Sequence, residues 1–138
     1  MSRLEYSDEC SGSDFNLWRG AVDSALRGKR GQAFLRETLA ALDAMPEKKL
    51  TKDSLHEPVS GEFCTLGVVG AVRSLDLRAL ENDDPEGIAK AFGISRAMAA
   101  EIMFVNDDEN DWHHDQTSEH RWNRMRSWVV SHIKTEAV

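Results

Sequence analysis

Apolar side chains recur every three or four positions in several stretches of this chain, separated by polar residues, glycine or proline, which predicts short amphipathic helices around a shared core. The clearest pair lies in Gly87–Phe104, read as GIAKAFGISRAMAAEIMF. Asp84 caps the first helix and Pro85 opens it, where a missing N–H costs no internal hydrogen bond. Ile88, Ala89 and Phe92 face inward, Gly93 ends the helix, Ser95 caps the next, and Met98, Ile102 and Val105 continue the stripe. The acidic run Asn106–Asp111 is expected to stop that second helix, because repeated acids fit poorly at its negative end.

Upstream, Ser13 and Asp14 can cap a helix carrying Phe15, Trp18, Val22 and Leu26 on one face. Gly28 and Gly31 interrupt it, and a helix over about 32–45 follows, with Leu35, Leu39 and Leu42 on one side, Phe34 beside them and Pro46 at its exit. Two antiparallel helices are expected, one kinked helix being the alternative. Residues 47–62 read as a polar connector. Over 63–75 the spacing of Phe63, Leu66, Val69 and Val72 favours a helix over extended structure, with Gly67 and Gly70 letting another backbone approach. A last helix starts near Thr117 or Ser118 and turns Trp122, Met125, Val129 and Ile133 inward, Trp128 adjoining, with Arg121, Arg124 and Arg126 on its exposed sides. The fold class is therefore all-α: a compact bundle of about five or six short helices over residues 14–134, with 1–13 a flexible arm and 135–138 a flexible end.

A length of 138 residues suits one domain. The formal net charge is -7 and falls on one part of the chain: acids and bases balance over residues 1–50, so residues 51–138 carry the whole excess. Such a field disfavours a polyanion as partner unless a basic face is segregated from it. Two cysteines, Cys10 and Cys64, make no metal-ligand repeat, though a single bridge between them is open on paper. No run reads as a signal peptide or a membrane span, so a cytoplasmic protein is expected.

Arg19, Arg27, Lys29, Arg30 and Arg36 form a basic cluster whose glycines could wrap an anion, although the phosphate-loop pattern is missing. With Trp112, which interrupts the acidic run, these are the candidate partner-binding residues, Asp107–Asp111 offering a separate acidic contact. The Gly87–Phe104 segment resembles helix-turn-helix proteins, which makes Ser95 and Arg96 the candidates for DNA contact; Arg96 is the only basic side chain at the start of that helix, few for reading bases and phosphates. Asn106–Asp111 lacks the glycine and terminal glutamate of a calcium loop, and His113, His114, Asp115 and His120 bring metal-donor chemistry without a ligand motif. No metal or cofactor is assigned, and no catalytic residue: Glu101 with Asp107, or Glu119 with His120, become acid/base pairs only if folding joins them.

The stretches Trp18-Arg19-Gly20-Ala21-Val22, Arg27-Gly28-Lys29-Arg30-Gly31-Gln32 and 121–129 (RWNRMRSWV) resemble a family of small uncharacterised bacteriophage and prophage proteins, over roughly residues 15–133. The resemblance implies an accessory or host-interacting role, with a host or phage protein as partner, and supplies no catalytic residue. The preferred expectation is a protein-binding regulatory module; a helix-turn-helix DNA-binding regulator and a metal-dependent enzyme are its rivals. Self-association through exposed tryptophans is a further geometric option.

Overall fold

The structure is a computed structural model that describes residues 12–107 and 117–135, with side chains from Asn16 onward. Among these residues the chain forms α1 (Gly12–Arg27), α2 (Lys29–Ala44), α3 (Thr65–Val72), a single 3-10 turn at Leu77–Ala79, α4 (Pro85–Phe92), α5 (Arg96–Asp107) and α6 (Ser118–His132). The architecture is all-α, and the one extended pairing among the described residues is an isolated antiparallel bridge between His56 and Phe63. Of the expected arm, residues 12 and 13 instead begin α1, and residues 1–11 lie outside the described residues, as do Cys10, the acidic stretch 108–111, Trp112, His113, His114 and Asp115.

Local caps place most helix ends as anticipated. The Asp84 carboxylate accepts from Gly87 N and Pro85 opens α4, while Gly93 closes it in the left-handed region at φ 71°, where glycine carries no Cβ penalty. Ser95 Oγ then accepts from Met98 N, and Thr117 Oγ1 from His120 N. The α1/α2 junction departs from the expected antiparallel pair. A single residue, Gly28, separates the helices, which is shorter than the two to about five residues an antiparallel helix pair uses. The helices instead meet at a corner: α1 packs on α2 and α5, and α2 continues onto α3 and α6.

The core runs through every helix and includes Val22, Leu35, Leu42, Val69, Ile88, Met98, Ile102, Met103 and Met125. At its centre lies α5, which meets α1, α3, α4 and α6. The connector 47–62 is less polar in its packing than in its composition, because Leu50 and Leu55 are both fully buried. Leu55 O accepts from Cys64 N and Thr51 N donates to Phe63 O, so the loop is laced along the entry to α3. That close approach is made possible by Gly67, where an added Cβ would lie 1.9 Å from Leu55 O. Gly70 in turn faces the Leu77 and Phe92 side chains. Gly67 thus admits a backbone as expected, whereas Gly70 admits two side chains instead of the backbone expected there. Cys64 is a buried free thiol whose sulfur accepts from Gly67 N.

These glycines predict opposite signs for two similar substitutions. Gly67→Ala must push the Leu55 carbonyl aside and should lower stability by roughly 1–3 kcal/mol. Gly20→Ala, inside α1 with nothing within 4 Å of the new methyl, should raise it by about 0.8–1 kcal/mol. Chemical denaturation of both variants, compared by midpoint at constant slope, checks the pair.

Candidate functional site

The five cations grouped from sequence are divided by the fold. Arg19 turns inward and pairs with the buried Glu101 at 2.9 Å, with Asp23 at 3.8 Å. Arg36 donates to Lys134 O, and the Arg27 carbonyl accepts from Lys134 Nζ, so both serve the closure of the chain after α6. Lys29 and Arg30 alone flank a cleft of about 240 Å³, which they share with Gly28, Ser95 and Met98. The basic corner and the turn before α5, two separate candidates in the sequence, therefore meet in space. Gly31 lines the same cleft and is buried, and a Cβ there would strike Ala25 O at 1.9 Å, so it admits the backbone of α1.

The segment likened to a helix-turn-helix does form two helices joined at Gly93, but its second helix has no face to lay in a groove. Met98 to Met103, Asn106 and Asp107 are buried. Ser95 spends its hydroxyl on the cap, and the Arg96 guanidinium lies 5.9 Å from the Trp18 ring. Helix α5 is described to Asp107, the second residue of the acidic run, and 108–111 lie outside the described residues.

Its last turn enters a buried polar network. Asn106 Oδ1 accepts from Thr65 N (3.0 Å) and Thr65 Oγ1 (2.8 Å), while Nδ2 donates to Thr51 O and Asp107 Oδ1. Asp107 Oδ1 also accepts from Asp53 N. Arg121, expected on an exposed side, is buried and donates to Asn106 O and Leu50 O. Arg124 donates to Val105 O and Asn106 O, so two cations cover the carbonyl end of α5. Glu101 and Asp107, the pair considered for acid/base work, are thus separately engaged. His120 is exposed, and no cluster of three metal-donor side chains occurs among the described residues.

A different feature is an open apolar surface. Between the C-terminal half of α2 and α3 runs an apolar groove of about 510 Å³. One wall carries Ala41, Ala44 and Met45, the other Val68, Ala71 and Val72, and Phe63 closes one side. Val72 is 64% exposed and Val59, on the adjoining turn, 94% exposed. The sequence held a signal for this groove: TLGVVGAV is apolar all round, which suits a helix covered on every side, yet its last turn is not covered.

The spacing of the walls is held by Arg73, next after α3. Its guanidinium binds the Glu37 carboxylate through Nε (2.7 Å) and Nη2 (2.6 Å), donates to Phe92 O, and lies over the Phe34 and Phe92 rings. The hydrogen bonds from Arg73 hold the Glu37 carboxyl below its ordinary value of 4.5, against a smaller opposing effect of burial.

No family model, curated protein or solved structure matches this chain. No described helix is long and apolar enough to cross a membrane.

A depressed carboxyl pKa contributes stability that is full above the unfolded value and lost as pH falls through the folded one. Acidification from about 4.5 downward should therefore weaken the α2–α3 clamp. Glu37→Gln should flatten that part of the stability profile. Because both side chains are about one-third exposed, the effect should stay below about 1 kcal/mol and shrink in molar salt. Urea midpoints of both proteins across the acid range test this.

Proposed function

We propose that the chain is a protein-binding module whose partner lays the apolar face of a helix into the groove between α2 and α3. The observation that carries this reading is the groove itself: apolar walls, open to solvent, with exposed valines beside it and charged residues at its edge. Such an arrangement matches the way amphipathic helices are recognised, by apolar anchors at helical spacing within a polar rim. Scattered exposed aliphatics carry no message, but apolar side chains gathered along a trough give an interface its affinity. Helix α3 spans eight residues, roughly 12 Å, so the groove accommodates about two turns of a partner helix.

The basic corner at Lys29 and Arg30 is the rival contact surface and the natural control. Exposed cations change association rate and salt dependence more than they change affinity. Crosslinking and pull-down from the native cellular background should recover a partner with the wild-type chain, lose it with Ala44→Trp, which fills the groove, and retain it with Lys29→Glu and Arg30→Glu. Ala44 is exposed at the last position of α2, so the fold tolerates the larger ring. Recovery that ignores Ala44→Trp and is abolished by the charge reversals would move the contact to the corner.

A further inference from the structure

The charges around the groove specify the partner further, an argument that rests on the groove being the docking surface. Most of the cations nearby are already committed within the fold. Lys48 Nζ donates to Asp43 O and Met45 O at the end of α2, and lies over the Trp122 ring. Lys49 is 3.7 Å from Glu119, and Arg126 forms two hydrogen bonds to the Asp43 carboxylate.

Carboxylates also stand at the edge. Glu47 and Glu62 line the groove, and Glu62 Oε1 accepts from Ser118 Oγ at 2.7 Å. On the turn that carries Val59, the Glu57 carboxylate accepts from Val59 N and Ser60 N. Hydrogen bonds from Ser60 and Val59 hold its pKa below the usual 4.5, so it stays charged well into the acid range. Glu47, Glu62 and Lys49 are the charged residues that line the groove, and Lys49 pairs with Glu119, so the balance at the edge is acidic, in the same direction as the chain's net charge of -7.

We infer that the occupant is an amphipathic helix of a partner protein with lysine or arginine flanking its apolar stripe. The apolar face enters between Ala44 and Val72, while the basic flanks meet Glu47 and Glu62. A second copy of this chain fits less well, because two acidic surfaces would be brought together. An acidic helix is repelled for the same reason.

Three synthetic peptides of about 15 residues, a length near the lower limit for a helix in water, separate the contributions. The first is Leu/Lys in amphipathic register, the second its Leu/Glu counterpart, and the third the Leu/Lys composition with the register scrambled. Fluorescence anisotropy with the full chain should show the Leu/Lys helix binding about tenfold or more tighter than either control. Ala44→Trp, and independently Val72→Gln, should weaken it by about tenfold. The double variant Glu47→Gln, Glu62→Gln keeps the Ser118 acceptor and should weaken it about threefold or more, as should raising salt to about 0.5 M.

Equal binding of the Leu/Glu helix, still lost in Ala44→Trp, would overturn the basic partner while leaving the groove as the docking surface. Equal binding of the scrambled peptide would reduce the recognition to bulk charge and overturn it too. If both groove variants leave binding of every peptide unchanged, the groove reading falls and takes this inference with it. Self-association seen in sedimentation and abolished by Ala44→Trp would make a second copy the occupant, against the inference. Circular dichroism of each variant secures the fold.

Discussion

The carboxamide of Asn106 is the junction on which this arrangement of helices depends. It is 1% exposed, and it joins three segments distant in sequence: the 51–53 loop, the start of α3 and the end of α5. Both of its polar atoms make two hydrogen bonds. Burying an amide is costly unless it is satisfied, and a satisfied one admits few other packings, because any displacement strands several donors and acceptors together. The Asn106 carbonyl extends the junction to α6 through Arg121 and Arg124. Gly67 completes it by letting the Leu55 carbonyl reach the first turn of α3. The start of α3 is thus pinned by hydrogen bonds on the side of α5, and its end by Arg73 on the side of α2.

That double attachment explains why the groove exists. Helix α3 is held at both ends, so it cannot move against the last turns of α2 to cover its own apolar residues. Ala41, Ala44 and Ala71 are too short to close the gap from either wall, and the turn at 57–61 is tied by the Glu57 carboxylate to its own backbone amides. The same constraint places α5 in the middle of the bundle. Its role as a junction uses the faces that a groove-reading helix would need, and its one arginine is directed to Trp18. Core and open groove are therefore separated in this fold: α5 organises the bundle, and α2 with α3 forms the groove walls.

What was legible in the sequence was what is decided locally. Asp84, Gly93, Ser95 and Thr117 act within one turn of their own helix, so residue type and spacing are enough to place them. The inward positions Val22, Leu35, Ile102, Met125 and Val129 followed from helical period in the same way. Gly67 and Gly70 could be read as points of close approach, although which neighbour approached could not. Leu50 and Leu55 sit in a polar stretch without periodicity, so their burial has no local signature. Arg121 looks like a solvated residue because a guanidinium is costly to bury; it is tolerated only where the carbonyls of Asn106 and Leu50 converge, and that convergence is tertiary. The groove escaped for a related reason. The all-round apolarity of α3 signals a helix to be covered, but Ala44 reads as ordinary helix and the opposing wall stays unknown until the fold brings the two together.

The charge pattern along α2 gives the surface a direction. Lys29 and Arg30 stand at the positive end of the helix dipole, where cations are disfavoured, and no acidic residue occupies the first turn to relieve them. At the other end Lys48 donates to the final carbonyls, and Glu47 and Glu62 line the groove beside Lys49, which pairs with Glu119. Sixteen residues of helix separate the two ends by roughly 24 Å, about three screening lengths in physiological salt. The basic corner therefore neither cancels the acidic rim nor weakens a basic partner seated there. It does act on whatever extends beyond the groove: a basic segment running along α2 toward the corner meets repulsion, and an acidic one meets attraction. A helix docked in the groove consequently has one favoured way round if its own charge is uneven, with the direction set by side chains that never touch its apolar face.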